Sequence, residues 1–333
     1  MLVMVEGGLG NQMFHYAFAK AMQQKGYDVL LGAIEYDSVA GGGGENIRLL
    51  EIEHFNLSIP LCQDSTQIAK YLTRHDVLFP FKFIYNRLRY KAIRLIRRRA
   101  SYRPFYEFYA HIVWGEEGVV NDRIMKHYRE SSFKPYAFPY GINMSFVYSN
   151  DVYALLKDDF RLKIPLRYDN AMLKKQIQNT DKSVFLHIRR GDYLQSEGLY
   201  VVLGVTYYQK ALEILKSKIT NPHIFVFSND MCWCKEYLMR YVDFSGCTID
   251  FIEGNTEGNA VEEMELMRSC QHAIIANSTF SWWAAYLIEN PDKIVIMPKE
   301  YLNDSSRFLP KQFLALKNWF LVDHIWGSVE LAN

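Results

Sequence analysis

Short apolar runs rich in β-branched residues alternate with helix-like stretches along the second half of this chain. The runs occupy residues 184–188, 224–227, 248–252, 273–276 and 293–297. The helix-like stretches between them occupy residues 207–219, 260–269 and 281–289. Strands that are separated by helices predict a parallel sheet with crossover helices. We therefore expect an α/β fold.

The N-terminal end follows the same pattern, and we predict a strand, a helix and a strand at residues 2–6, 11–24 and 28–32. A length of 333 residues and a hydrophobic content of 49% allow a large core and two domains. We place the boundary between residues 160 and 180, where Pro165 and a polar run interrupt the pattern. The predicted domains are residues 1–170 and 171–333.

A basic and aromatic insertion is predicted at residues 79–140 of the first domain. Its first part, residues 79–103, has the composition of a helix with one apolar and one cationic face. Such a helix can lie on an anionic membrane surface, and a solvated helical insertion is the alternative. A flexible loop is predicted at the four glycines 41–44.

Charge and composition exclude several classes of protein. The chain carries 38 basic and 37 acidic residues, so it lacks the basic excess that general nucleic-acid binding requires. We find no apolar run near the ~20 residues of a membrane span and no signal peptide. The five cysteines fit no zinc spacing and are expected to be free thiols in a reducing compartment. We therefore expect a cytoplasmic protein.

Ligands of open α/β sheets bind beyond the carboxyl ends of the strands, and four polar clusters follow predicted strands in this chain. The first is GGLGNQ at residues 7–12. Its glycines allow a sharp turn and a close approach to a ligand, and the N-terminus of the following helix can face an anion. The motif matches a dinucleotide fingerprint only in part, because Met13 stands at the third glycine. A tight strand-to-helix turn is the alternative.

The second cluster is HIRRGD at residues 187–192. Alternation along a strand places His187 and Arg189 on the same face. Two adjacent guanidinium groups repel each other without an anionic partner, and Asp192 can pair with only one of them. Because the arginine fork binds phosphate oxygens in pairs, a diphosphate is the favoured partner. An internal salt bridge beside a buried His187 is the alternative.

Two further clusters follow strands of the second half. Asn229, in the sequence FSND at residues 227–230, could bind a ribose or a base edge, or lie at a helix N-cap. The segment ANSTFSWW at residues 276–283 joins a strand to a helix, where it could cap the helix or hold phosphate. One of three upstream glutamates could accept hydrogen bonds from N1 and N2 of guanine: Glu262, Glu263 and Glu265.

Three motifs occur in order along the chain: GGLGNQMFHYAFAKA, HIRRGDY and ELMRSCQHAIIANSTFSWWAAYL. Together they resemble the bacterial α-1,2-fucosyltransferases of glycosyltransferase family 11, which use GDP-fucose. The H-x-R-R-x-D element is shared with α-1,6-fucosyltransferases and protein O-fucosyltransferases. The resemblance implies a GT-B fold, in which two Rossmann-like domains face each other across a cleft. GDP-fucose would bind the C-terminal domain and the acceptor the N-terminal one, with the C-terminal segment crossing back.

The resemblance also implies roles for individual residues. Arg189 would neutralise the β-phosphate as GDP departs, and Arg190 would support the loop or the α-phosphate. Glu263 stands where the family commonly has an aspartate that faces guanine, and Asn11 would lie in the cleft near the leaving group. The remaining contacts with GDP-fucose are assigned to His187, Asn229, Asn277, Ser278 and Thr279.

Three groups are candidates to take the proton from the acceptor hydroxyl. Asp192 would hold the loop by pairing with an arginine, and it is also a candidate for the base. Glu197, five residues further along, is a second candidate, because an α-1,6-enzyme has a carboxylate there. The departing phosphate is the third candidate.

The function implied is transfer of L-fucose from GDP-β-L-fucose to the 2-hydroxyl of a terminal β-galactoside, in O-antigen or capsule synthesis. The anomeric configuration would invert, with neither a metal nor a cofactor. A lipid-linked acceptor would bring the enzyme to the cytoplasmic face of the inner membrane as a peripheral protein. Alternatives are another donor or acceptor, a nicotinamide-dependent oxidoreductase that uses residues 7–12, and a non-enzymatic glycan-binding protein that uses the RGD sequence at 190–192 and the aromatic residues.

Overall fold

The computed structural model describes both ends of the chain and parts of its middle. The described residues are 1–33, 49–64, 67–68, 71, 81, 84, 112–114, 122–132, 138–140, 145–196, 198–255, 259–303 and 314–332. The glycine loop predicted at 41–44 lies outside them, as does most of the insertion predicted at 79–140.

The N-terminal half is built on a parallel sheet. Its elements are β1 (Leu2–Met4), α1 (Leu9–Gln24), β2 (Leu30–Gly32), a 3₁₀ turn (Ile52–His54) and β3 (Leu61–Cys62). The three strands lie in the order β1-β2-β3, and all are parallel. A parallel strand pair and further helices follow: β4 (Ile112–Trp114), α2 (Asp122–Arg129), β5 (Phe138–Tyr140), α3 (Phe146–Asp151) and α4 (Tyr153–Asp159).

The C-terminal half contains a larger sheet. Its strands are β6 (Ser183–Ile188), β7 (His223–Ser228), β8 (Thr248–Phe251), β9 (His272–Ile274), β10 (Val295–Pro298), β11 (Phe320–Val322) and β12 (Val329–Leu331). Its helical elements are α5 (Tyr168–Asn179), α6 (Gly191–Leu194), α7 (Val205–Lys218), α8 (Met231–Trp233), a π-helical turn (Cys234–Leu238), α9 (Met239–Tyr241), α10 (Ala260–Arg268) and α11 (Thr279–Leu287). The strand order is β12-β11-β10-β9-β6-β7-β8. Neighbours are parallel except β11 and β12.

These two sheets, parallel apart from β12, confirm the predicted α/β fold. One sheet in each half of the chain agrees with the GT-B class that the resemblance implied. Helix α5 was not predicted, and it lies across the domain boundary that we placed between residues 160 and 180. Its inner side carries Asn170, Leu173, Lys174 and Ile177, of which Asn170 and Ile177 are buried. Lys174 is partly exposed and pairs with Glu265 of α10 at 2.6 Å. Because polar residues share this side with apolar ones, the apolar period that indicates a helix is weak in the sequence.

The strand order of the large sheet reverses beside β6. The chain runs from β6 to β7 and β8 on one side, and it then returns to form β9 and β10 on the other. Strand β6 therefore pairs in parallel with both β7 and β9. The carboxyl ends of strands at such a reversal form a crevice, which is the usual ligand position in open α/β sheets.

One hydrophobic cluster extends through both halves of the chain and packs α1 against α11. The ring centroid of Phe14 lies 4.8 Å from that of Trp282 and 4.9 Å from that of Trp283. The indole N–H of Trp283 donates a 2.9 Å hydrogen bond to the carbonyl oxygen of Gly10. This packing fixes the start of α1 beside the start of α11.

A buried ion pair joins α1 to α4. Lys20 Nζ lies 2.8 Å from Asp159 Oδ2, and the two side chains are only 7% and 10% exposed. The same carboxylate oxygen accepts hydrogen bonds from Tyr16 at 2.6 Å and from Ser58 at 3.0 Å. Buried charges need their partners, because removal of one leaves the other uncompensated in a medium of low dielectric constant.

Asp159→Asn is therefore expected to lower the free energy of unfolding by about 3–5 kcal/mol. Urea denaturation followed by circular dichroism measures the loss. The matched control is Asp158→Asn, because the neighbouring carboxylate pairs with Arg161 on the surface, where both side chains are about 70% exposed. The control should change stability by less than about 1 kcal/mol. Equal losses in the two variants would contradict the role assigned to the buried pair.

Candidate active site

The carboxyl ends of β6 and β9 bring two of the predicted clusters together. Strand β6 ends at Ile188, within HIRRGD, and β9 is followed closely by the segment 276–283. Leu186 of β6 is the register partner of Ile274 of β9, so the two strands end side by side. Both clusters therefore lie at the reversal of the strand order, where a ligand is expected.

Asn229 organises the loop that follows β6. Its Oδ1 accepts hydrogen bonds from the backbone N–H groups of Arg190 at 2.9 Å and Gly191 at 3.1 Å. Its Nδ2 donates to Asp192 Oδ1 at 3.3 Å. Asp192 Oδ2 in turn accepts a 2.7 Å hydrogen bond from Arg189 Nη2. The observed role of Asn229 is to hold this loop, and its contact with the donor stays a prediction.

Arg190 pairs with Asp230, a carboxylate that no local sequence pattern connects to it. Its Nε lies 3.4 Å from Asp230 Oδ2, just beyond β7. Its guanidinium lies 4.2 Å from the ring centroid of Trp233, and its Nη1 donates to the carbonyl oxygen of Leu203 at 3.4 Å. Asp192 thus pairs with only one of the two arginines, Arg189, and the second arginine has an internal partner of its own in Asp230. These contacts fit Arg190 as a support of the loop, while its contact with the α-phosphate stays a prediction.

His187 is buried at the end of β6, and its Nδ1 has no hydrogen-bond partner among the described residues. Burial, together with the positive charge of Arg189, lowers the pKa of the imidazole to about 3. The ring is therefore neutral near pH 7, and its centroid lies 5.8 Å from that of Phe280 in α11. A buried polar atom without a partner is a position where a ligand can supply the missing hydrogen bond.

The start of α11 is tied to the start of α1 by side chains from two of the motifs. Ser278 is the N-cap of α11, since its Oγ accepts a 3.3 Å hydrogen bond from the N–H of Phe280. Thr279 Oγ1 donates a 2.8 Å hydrogen bond to Asn11 Oδ1. This bond joins residues that are 268 positions apart in the chain.

Gly10 permits the close contact between the two helices. A Cβ atom at residue 10 would lie 2.5 Å from the backbone nitrogen of Phe280 and 2.6 Å from Thr279 Oγ1. This glycine is therefore explained by helix packing. Both helix N-termini carry partial positive charge on their N–H groups. Their meeting beside His187 makes the crevice suitable for an anion.

Asn277 braces the loops around the site. Its Nδ2 donates to the carbonyl oxygens of Val201 at 2.8 Å and Tyr301 at 3.0 Å. The backbone carbonyl oxygen of Asn277 accepts a 2.9 Å hydrogen bond from the Tyr193 hydroxyl. The side chain is almost completely buried. These contacts assign it a bracing role, and its contact with the donor stays a prediction.

Glu263 is the glutamate of α10 whose carboxylate has no hydrogen bond among the described residues. The other two are engaged: Glu262 by Arg167 and Asn170, and Glu265 by Lys174 and Arg268. Burial raises the pKa of Glu263 to about 7; the positive charge of Arg189 opposes this shift, and the negative charge of Glu51 adds to it. Of the three predicted candidates, Glu263 is therefore the one whose position suits a ligand.

Two buried residues that were not singled out from the sequence join the N-terminal half to α10. Gln12 Oε1 accepts hydrogen bonds from the backbone N–H groups of Glu51 at 3.0 Å and Ile52 at 2.9 Å. Glu51 Oε1 accepts a 3.3 Å hydrogen bond from the N–H of Ala260 at the start of α10. These bonds connect distant parts of the chain, and no local pattern indicates them.

Three further expectations concern features outside this cluster. Glu197, a candidate for the base, lies outside the described residues. Where the chain is described, none of its helices has the length and apolar character needed to cross a membrane. The same part of the chain holds no group of three or more His, Cys, Asp or Glu side chains placed to bind a metal ion.

Gly10→Ala is expected to push α1 and α11 apart, because the added methyl group collides with backbone atoms of Thr279 and Phe280. Overpacking of this kind costs about 1–3 kcal/mol or more, and the affinity for GDP, the predicted ligand, should fall with it. Thermal unfolding and calorimetric titration with GDP measure the two effects. Gly204→Ala is the control, since a Cβ there meets no atom within 4 Å. Equal unfolding temperatures and equal affinities for GDP in the two variants would refute this explanation of Gly10.

Comparison with known proteins assigns the chain to a family. The model of Glycosyl transferase family 11 matches residues 89–323, more than two thirds of the chain. The chain is also 27% identical to the O-antigen biosynthesis glycosyltransferase WbnK of Escherichia coli over 325 residues, which are 95% of this chain and 98% of WbnK.

Two further relatives have names that state a linkage, and each of them matches this chain over a shorter region. An alpha-1,2-colitosyltransferase of Escherichia coli is 38% identical over 138 residues, 40% of this chain and 46% of that protein. Galactoside alpha-(1,2)-fucosyltransferase 2 of Pongo pygmaeus is 33% identical over 117 residues, 34% of this chain and 33% of that protein. The match thus spans less than half of either relative. The chain belongs to glycosyltransferase family 11 and is a GDP-sugar glycosyltransferase, as its resemblance to the α-1,2-fucosyltransferases implied.

Proposed function

We propose that this enzyme transfers L-fucose from GDP-β-L-fucose to the 2-hydroxyl of a terminal β-galactoside. The observation that carries the proposal is the meeting of Arg189, the neutral His187 and the start of α11 at the reversal of the strand order. A guanidinium, a ring nitrogen that lacks a partner and helix N–H groups together suit a diphosphate. Family membership and the α-1,2 relatives support the sugar and the linkage.

Arg189 is proposed to act on the leaving group. As the bond from the anomeric carbon to the β-phosphate oxygen lengthens, negative charge grows on the phosphate and the sugar becomes oxocarbenium-like. A guanidinium that Asp192 holds in place binds this growing charge more tightly than it binds the ground state, which lowers the barrier. Attack of the acceptor hydroxyl from the opposite face inverts the anomeric configuration.

Asp192 is better placed to position Arg189 than to take the proton from the acceptor. Its Oδ2 accepts a hydrogen bond from Arg189, and its Oδ1 accepts one from Asn229. The other proton acceptors that suit the reaction are Glu197 and the departing phosphate. Asn11, which Thr279 holds at the start of α11, is proposed to lie beside the leaving group.

Glu263 is proposed to bind the guanine base. The N1–H and N2–H groups of guanine are both donors, and an ionised carboxylate can accept from both through its two oxygens. The partly buried carboxylate of Glu263 has a pKa of about 7 in the absence of ligand. Since guanine binds the ionised form, GDP binding should lower this pKa and should itself strengthen as the pH rises through that value.

One of the relatives supports a second candidate for the donor sugar. Colitose is fucose without its 3-hydroxyl group, and the chain is 38% identical to an alpha-1,2-colitosyltransferase over the matched region. A colitosyl donor is therefore the alternative to fucose. The match along nearly all of WbnK supports a role in O-antigen synthesis.

The remaining parts of the proposal concern cofactors and location. We propose that the reaction requires neither a metal nor a cofactor, because arginine and helix N–H groups can supply the positive charge that a diphosphate needs. We also propose a lipid-linked acceptor, reached by a cytoplasmic enzyme in peripheral contact with the inner membrane.

The purified enzyme is expected to transfer fucose from GDP-fucose to lactose in the presence of EDTA, with the new linkage identified by NMR. Arg189→Ala should lower kcat by about 100- to 1000-fold, because one donor aimed at transition-state charge contributes about 2–4 kcal/mol. Arg161→Ala, at an arginine whose side chain is 68% exposed, is the control and should keep full activity.

Three outcomes would overturn parts of this proposal. Turnover that is lost in EDTA and restored by Mg²⁺ or Mn²⁺ would contradict the metal-independent reaction. An enzyme that neither turns over GDP-fucose nor binds GDP would contradict the donor site. Transfer from GDP-colitose without transfer from GDP-fucose would select the alternative donor.

The affinity for GDP is expected to rise between about pH 6 and pH 8, because Glu263 loses its proton in this range. Below its pKa the carboxyl group is protonated and is a poorer acceptor; above its pKa both oxygens accept. Calorimetric titration at several pH values measures the slope. Glu263→Gln is the control, since ionisation of the terminal phosphate of GDP affects both proteins equally. Superimposable pH profiles would rule out a guanine contact through this carboxylate.

A further inference from the structure

We propose that residues 233–245 form a second binding site, for a neutral oligosaccharide, at the β8 edge of the large sheet. The site consists of three aromatic side chains spaced by four residues, Trp233, Tyr237 and Tyr241, and of an adjoining cavity. We call the three side chains the aromatic ladder. The inference rests on the proposed function to the extent that the acceptor is a glycan chain, and it does not depend on which sugar is transferred.

The rings of the ladder follow one another along the helical segment 231–241. The centroids of Trp233 and Tyr237 lie 6.3 Å apart with ring planes 17° from parallel, and those of Tyr237 and Tyr241 lie 4.8 Å apart. Tyr237 is 52% exposed and Tyr241 is 50% exposed. The two tyrosine rings are therefore partly open to a ligand, at a separation comparable with the length of one pyranose residue. The guanidinium of Arg240 lies 5.5 Å from the ring centroid of Tyr241.

Tyr237 and Tyr241 are not needed to pack this segment, whereas Trp233 is partly buried and packs against the core. Cys234, Leu238 and Val242 form the buried side and belong to the core beneath. A π-helical turn at Cys234–Leu238 lies within the ladder. Such turns are rare, and they occur frequently at functional sites. An exposed aromatic row over a segment that is already anchored points to binding rather than to stability.

The inner end of the ladder contacts the loop that carries the arginines. The Trp233 ring lies 4.2 Å from the guanidinium of Arg190, and Arg190 also pairs with Asp230. Arg190 is the direct neighbour of Arg189, the proposed phosphate ligand. The ladder thus begins at the rim of the active site and extends away from it, where it can hold a part of a glycan remote from the reacting sugar.

A surface cavity of about 630 Å³ adjoins the outer end of the ladder. Met239 and Tyr241 contribute apolar walls, and the polar side chains of the lining include Gln209, Arg240, Asp243 and Ser245. No ion pair to Arg240 occurs in the described parts of the chain. The cavity is open to solvent and its lining is largely polar, which suits the hydroxyl groups of a sugar, and its volume lies within the usual range of sites for small ligands.

The charge of the segment favours a neutral ligand. Residues 231–245 carry two cations and two anions: Lys235, Arg240, Glu236 and Asp243. Two of these charges are also paired with neighbours, Lys235 with Glu253 and Asp243 with Lys216. A segment without net positive charge does not attract anionic lipid headgroups or phosphate chains. Pyranose rings stack on aromatic faces through their C–H groups, and this contact needs no charge.

The test is saturation-transfer NMR with lacto-N-tetraose, a neutral tetrasaccharide, and it needs no donor sugar. In the wild-type protein we expect saturation of the inner sugar residues as well as of the terminal galactose. The double variant Tyr237→Ser/Tyr241→Ser should lose the saturation of the inner residues. Tyr168→Ser, at a tyrosine that is 78% exposed on α5, is the control and should retain it.

Kinetics provide a second readout. The double variant should raise KM for lacto-N-tetraose by about fivefold, equivalent to about 1 kcal/mol. KM for lactose, which is too short to reach the ladder, should be unchanged, as should kcat for both acceptors.

Several results would overturn the proposal. They are an equal saturation pattern in the wild type and the double variant, no saturation of inner residues in the wild type, and a wild-type dimer that the double variant dissociates. The last result would show that a second copy of the chain covers the ladder. Failure of the proposed fucosyl transfer is distinguishable, because it would appear in the turnover assay and leave the NMR comparison readable.

Discussion

The contact between the starts of α1 and α11 determines the geometry of the active site. It depends on a glycine that leaves room for the backbone of residues 279–280, on a hydrogen bond from Thr279 to Asn11, and on the packing of Phe14 against two buried tryptophans. Through this contact, the N-terminal glycine motif completes a site whose other parts come from the C-terminal sheet. The two helix N-termini, each with partial positive charge, therefore lie side by side.

The two adjacent arginines have different environments. Arg190 is enclosed by Asp230, Trp233 and a backbone carbonyl, and it stabilises the loop. Arg189 is positioned by Asp192, which Asn229 fixes in turn. The pair is therefore neutralised within the fold, and its value for catalysis lies in the fixed position of one guanidinium. A preorganised donor of this kind needs no rearrangement when charge develops on the leaving group.

Local patterns predicted the parallel sheets and located the HIRRGD loop, because strand and helix periods are written in neighbouring residues. They failed at α5, where polar residues share the inner side with apolar ones, and at Asp230, whose pairing with Arg190 depends on the alignment of β6 and β7. They offered a ligand-binding turn or a tight strand-to-helix turn for the glycine motif, and they did not indicate the contact of Gly10 with α11. The bond between Asn11 and Thr279 joins residues far apart in the chain. Such contacts follow from topology, which no local pattern contains.

A crystal structure of the complex with GDP would test this description of the donor site most directly. We predict that the β-phosphate lies within hydrogen-bond distance of Arg189 and of the N–H groups in the first turn of α11, with the guanine base at Glu263. A diphosphate held at the glycine turn before α1, away from Arg189, would contradict the assignment. It would return the first glycine motif to the role of a nucleotide-binding turn.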